Sequence, residues 1–187
     1  KMDGLSKAKM DILEFLWRVN RPANLREIAG GIGLKTRCVN MHLINLRRSG
    51  YVATISDGSY MLTDLGREAL GLPKIDRMMA EKILSGTSGE MAFHFYIDID
   101  KPLMISSSSL MDFCEKIRYV ELRSIEFHLS RGDFEAWISA LGDIDLARRL
   151  KIIRESNLMG EELREEIYRA VKSRCDDLAR IVSGLST

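Results

Sequence analysis

Two β-prone stretches, YVATIS at residues 51–56 and SYMLT at 59–63, are separated only by Asp57-Gly58, and this pair constrains the chain more than any other feature. Asp-Gly between β-prone runs is the strongest short-range hairpin signal, because glycine takes the positive φ that a tight connection needs. A two-stranded ribbon is therefore expected, and three helical segments precede it. From Lys7 to about Val19, Ile12, Leu16 and Val19 recur at helical spacing with Leu13 and Phe15 alongside, and Ser6 is placed to cap. After Asn20-Arg21-Pro22, Asn24 and Glu27 have capping-box spacing; Leu25, Ile28 and Ala29 mark a short second helix that Gly30, Gly31 and Gly33 should stop. A third helix from about Thr36 to Arg48 puts Val39, Leu43 and Leu46 on one face and ends at Ser49-Gly50. Beyond the ribbon, Thr63 or Asp64 caps a turn through Leu65 to Leu70, and Gly71-Leu72-Pro73 closes the unit.

The second half has a different texture. Ile75, Met78, Met79 and Ile83 read as a helix followed by SGTSG, so residues 74–90 are expected to form a connector. MAFHFYID sets Met91, Phe93, Phe95 and Ile97 against Ala92, His94, Tyr96 and Asp98, the alternation of a strand with one apolar face. The remainder reads as helical. Ser109 with Asp112, Ser124, Asp133 and Asp143 are taken as helix starts, and Leu163, Ile167, Val171, Cys175, Leu178 and Val182 mark a long amphipathic helix from about Glu161. The expected fold class is mainly α with small β (α+β), with domains at 1–73 and 91–187.

Composition narrows the class. Of 187 residues, 45% are apolar and 29% charged, ordinary values for a globular chain that excludes wholesale disorder. No window approaches the roughly 18 apolar residues of a membrane span, and no apolar run marks a signal peptide, so a cytoplasmic protein is expected. Cys38, Cys114 and Cys175 lie far apart, which argues for reduced thiols rather than a disulfide framework or a CxxC metal site. The net charge of +1 conceals an asymmetry: residues 1–72 hold 11 Lys and Arg against 7 Asp and Glu, and residues 28–56 hold no acid at all. A basic, acid-free span points to a polyanionic partner.

The order helix, helix, short turn, helix, hairpin, carried by NLREIAGGIGLKTRCVNMHLINLRRSGYV and DGSYMLTDLGREAL, resembles the winged helix-turn-helix of prokaryotic transcription regulators over about the first 70 residues. That resemblance implies DNA binding with the third helix in the major groove. Independently, with Val39, Leu43 and Leu46 inward, the helix turns Thr36, Arg37, Asn40, Met41 and Ile44 outward, with Lys35 at its mouth. Arginine pairs with guanine and asparagine with adenine, so Arg37 and Asn40 are the candidate base readers; Lys35, Thr36, Arg47 and Arg48 suit phosphate. Met41 and Ile44 fit either thymine methyls or a protein surface, and the tip Asp57-Gly58-Ser59 lacks the common basic wing. His42, beside Leu43, is expected at the edge of the core. GGIGLKT is not a phosphate loop, since Leu34 stands between the last glycine and the lysine and a helix precedes it.

In the second half, His94, Tyr96, His128 and Asp133 are the residues with chemistry, open to a metal or small effector, or to a core histidine with a helix cap. Ser106 to Ser109 offers an anion cradle or redundant capping, and Glu161 to Glu166 a solvated helix face. FHFY, FHLSRGDFEAWI and LGDIDLARR together resemble an uncharacterised helical domain of archaeal and bacterial proteins over about residues 90–182, a family that brings no activity with it. No catalytic motif is present, so no enzyme and no cofactor is expected. The expected partners are double-stranded DNA and a second copy of the chain, since one recognition helix spans one half-site. The helices from Ile75 and Glu161 are the candidate dimer interfaces, the alternative for either being to pack within its own chain. The rival readings are a protein-interaction module and a metal- or ligand-dependent sensor using the His94 and His128 region.

Overall fold

The computed structural model describes residues 4–184, and the chain divides after Lys74 into two units, each with its own core. It is mainly helical, with short antiparallel strands in two small sheets.

In the first unit, α1 (Lys7–Val19), α2 (Leu25–Ile32) and α3 (Thr36–Arg48) precede β1 (Val52–Thr54), β2 (Tyr60–Leu62) and α4 (Asp64–Ala69). Ile12, Leu13 and Leu16 of α1 pack with Ile28 and Ala29 of α2, Val39, Leu43 and Leu46 of α3, and Val52 of β1. The helical spacing of these residues is what gathers them on inward faces. β1 and β2 pair antiparallel with Val52 opposite Leu62, and Ala23 adds a bridge to Tyr60. Asn24 caps α2 by accepting from the Glu27 amide at 3.0 Å, and Thr63 caps α4.

Local details correct the sequence reading. Ser6 occupies the N-cap position of α1 as expected, though without a side-chain capping bond. Gly30 and Gly31 lie inside α2; only Gly33, at φ 70°, ends it. Gly31 is instead where α1 approaches, because a β-carbon there would overlap the Phe15 ring. The hairpin loop is three residues long: Ile55 donates to Ser59 and accepts from Gly58, which sits at φ 82°. Glycine thus serves a bulged turn rather than a two-residue one.

The second unit contains α5 (Arg77–Leu84), β3 (Phe93–Asp98), β4 (Lys101–Ser107), α6 (Leu110–Ile117), α7 (Leu122–Arg131), α8 (Asp133–Leu141), α9 (Ile144–Glu155) and α10 (Gly160–Ser183). Its core joins Phe93 and Phe95 of the ribbon to Phe113, Ile125, Phe134, Leu146 and the α10 stripe Leu163, Ile167, Val171, Leu178. Helix α5 is no connector: Ala80 and Ile83 are buried in this core. Of the two candidate dimer helices, α10 packs its apolar stripe within the unit, and α5 buries Ala80 and Ile83 there but leaves Met78 and Met79 exposed. β4 was not expected; KPLMISS lacks alternation, and register shifts interrupt its pairing with β3. Met91 lies before β3 in a 3₁₀ turn and is exposed. Ser124 is buried within α7 rather than starting it, and Gly132, not Asp133, occupies the cap of α8. Ser109 and Asp143 do cap α6 and α9.

Candidate nucleic-acid interface

The turn from α2 into α3 is short because Gly33 takes the left-handed conformation, and the Leu34 amide donates back to Ala29 at 3.1 Å. Lys35 occupies the cap position of α3 without a side-chain capping bond, leaving its ammonium in solvent. With Val39, Leu43 and Leu46 buried, the 3.6-residue period sets Arg37, Met41, Ile44 and Arg48 on one outward stripe. All four are exposed, with Met41 at 61% and Ile44 at 40%. Thr36 and Arg47 are exposed beside this stripe, whereas Asn40 is half-buried on its flank. His42 is half-buried, at the core edge as expected.

The cations along α3 are unpaired, as are exposed Lys7 and Arg26 elsewhere in the first unit among the described residues, whereas two other arginines are paired. Arg18 pairs with Glu14 at 2.7 Å, and Arg21 pairs with Glu27. Lys35, Arg37, Arg47 and Arg48 have no carboxylate or other side-chain partner among the described residues. Arg47 and Arg48 complement the dipole at the helix C-terminus. Lys35 and Arg37, at the N-terminus, carry the opposite sign from the one the dipole favours, so the fold does not account for them. At the hairpin tip, Asp57 accepts from the Ser59 amide at 2.8 Å, and this bond holds its carboxyl below the ordinary value. The tip is therefore anionic.

The second-unit candidates converge on one recess. His94, Tyr96, His128 and Asp133 line a hollow of about 340 Å³ with Phe93, Phe127 and Arg131. Both His128 ring nitrogens are engaged: Nε2 accepts from the Tyr96 amide at 2.8 Å, and Nδ1–H donates to Asp133 Oδ2 at 2.8 Å. Burial lowers its pKa despite the carboxylate, so the ring is neutral and pins β3 to α7. It has no free nitrogen for a metal, His94 faces solvent near the Gly89 carbonyl at 3.3 Å, and no group of three or more His, Cys, Asp or Glu is arranged for a metal among the described residues. Asp133, expected as a cap, is spent on His128 and on Arg131 Nε at 3.1 Å.

Sequence reasoning did not find the buried ion network of the second unit. Arg174 Nε donates to Asp143 at 2.7 Å, Arg149 Nε donates to Asp145 at 2.9 Å, and Asp143 also accepts from the Leu146 amide at 3.0 Å. Asp143 was legible only as a cap; an arginine on the apolar stripe of a long helix was the signal for its partner. The three cysteines are free, and burial pushes Cys114 up to about 11 and Cys175 up to about 12, so these two are poor nucleophiles at neutral pH. Among the described residues no helix is long and apolar enough to cross a membrane. Compared with known protein families, with curated proteins and with solved structures, the chain matches none.

Proposed function

We propose that the chain is a sequence-specific, non-catalytic DNA-binding regulator of transcription in the cytoplasm, whose first unit is a winged helix-turn-helix with α3 in the major groove. The observation that carries this is the exposed row of Lys35 at the mouth of α3, Arg37 and Arg48 on its outward stripe and Arg47 beside it, all without carboxylate partners among the described residues. A polyanion lying along such a row of cations is attracted to them and releases its own counterions. A 13-residue helix is long enough to lie across a groove about 12 Å wide, since it rises about 1.5 Å per residue. The Gly33 turn supports a helix-turn-helix, in which a short glycine-containing turn joins two helices. Arg37 and Asn40 read base edges; Lys35, Thr36, Arg47 and Arg48 hold phosphate. The anionic tip at Asp57 keeps the hairpin from the phosphates. Two copies of the chain bind two half-sites.

The test is selection of duplexes from a random pool with the purified full chain at rising salt. A recurrent site whose affinity falls steeply with salt is expected; retention of no duplex even at low salt would overturn the reading. The exposure of Met41 and Ile44 favours a second reading, a module whose α3 docks on protein. Capture of a protein partner that Met41→Asp abolishes, with no duplex retained, would establish it.

A further inference from the structure

We infer that Met41 and Ile44 form an apolar patch that reads the 5-methyl group of thymine, an inference that rests on α3 lying in the major groove. The two side chains are three residues apart on a helix and so share a face, at the middle of the Arg37, Met41, Ile44, Arg48 stripe. They add nothing to the core of the first unit, which is closed by Val39, Leu43 and Leu46 on the opposite side of α3. Both are exposed, and an apolar contact at this place would take their surface out of water.

The surroundings say what that contact is. An arginine stands at either end of the pair on the same stripe, and Lys35 and Arg47 are exposed nearby, all without carboxylate partners among the described residues. The occupant must therefore be apolar at its centre and anionic at its margins. B-DNA is built this way: phosphates line the groove walls, and on the groove floor thymine alone of the four bases carries an apolar group. Along the helix axis the two residues are separated by about 4.5 Å, comparable with the 3.4 Å rise of a base pair, so they address neighbouring pairs. Cytosine at the same place carries only a hydrogen where thymine has its methyl, so the patch loses that contact on cytosine. One or two adjacent T·A pairs are expected at the centre of each half-site.

The experiment starts from the duplex selected by the full chain and replaces its thymines one at a time with deoxyuridine, which removes only the methyl. Binding should weaken about fourfold at one or two neighbouring positions, the loss of one buried methyl-sized group. In the Met41→Ala, Ile44→Ala double variant the uracil effect at those positions should vanish. Sequence-specific binding with no uracil-sensitive position, or a sensitivity that survives in the double variant, would overturn the inference while leaving DNA binding intact. Failure to select any duplex would instead remove the DNA-binding reading, and this inference with it.

Discussion

His128 is held neutral by its surroundings, and that has a consequence in pH. Its pKa in the fold lies below the ordinary 6.5, chiefly because burial disfavours the imidazolium. The unfolded chain therefore takes up more protons than the folded one below about pH 6.5, and stability falls as pH drops through that range until the folded group also titrates. The contribution is full above the unfolded value and lost towards acid. Urea denaturation of a fragment spanning residues 75–187 at pH 7.5, 6.5 and 5.5 should show this decline, and His128→Gln should lower stability at pH 7.5 while flattening the pH 5.5–6.5 slope. An unchanged slope would mean that another group supplies it. On α3, Arg37→Ala or Asn40→Ala should cost about 1 to 3 kcal/mol on the best duplex and relax discrimination at one base position. Equal loss on all duplexes would place the side chain on phosphate. Arg37 was legible because helical period alone sets its direction. The bond between His128 and the Tyr96 amide was not, since it joins residues 32 apart whose approach depends on the whole second unit.

At the scale of elements, glycines separate what was legible from what was not. Gly30, Gly31 and Gly33 read alike as helix stops, yet each answers a different demand. Gly33 needs positive φ, Gly31 needs room beside Phe15, and Gly30 has open space where a β-carbon would stand. Gly30→Ala should thus stabilise the first unit by about 0.5 to 1 kcal/mol through helix propensity. Gly66→Ala on α4 should destabilise it by about 1 to 3 kcal/mol, because the new carbon would collide with the Tyr51 carbonyl oxygen and Leu62. Thermal melts of the two variants should move in opposite directions; a stabilised Gly66→Ala would mean that α4 shifts freely. The end of α3 carries a different kind of prediction. Removal of Arg47 or Arg48 should weaken binding to all duplexes alike and reduce the salt slope by about 0.9 per lost phosphate contact. Helices with clean spacing and Asx or Ser/Thr caps, such as α2 and α9, were readable from local chemistry. β4 was not, because its placement comes from pairing with β3 and from Lys116, which donates to the Ser106 carbonyl.

For the whole molecule, the closed core of each unit implies that the two units can fold separately. Residues 1–74 bring together their own helices and hairpin around Ile12, Leu13, Ile28, Val39 and Leu43, so a fragment ending at Lys74 should fold and melt cooperatively. It keeps the cationic face of α3 but loses everything from Ile75 onward. If the second unit holds two copies together, the fragment's two half-site contacts become independent events. The effective concentration for the second contact then falls from the millimolar range of tethered modules to that of free fragment, which costs about 10²- to 10⁴-fold in affinity. Ala80 and Ile83 of α5 and the Leu163, Ile167, Val171, Leu178 stripe of α10 are buried within the unit, whereas Met78 on α5, Met104 and Met159 are exposed and available to a second copy. Light scattering and gel-shift titration on the full chain and the fragment test this together. A dimeric full chain that binds tightly beside a monomeric fragment that binds weakly is the expected outcome. A fragment that is itself dimeric with undiminished affinity would place the interface in the first unit, and a monomeric full chain with the fragment's affinity would mean that the second unit contributes no pairing at all.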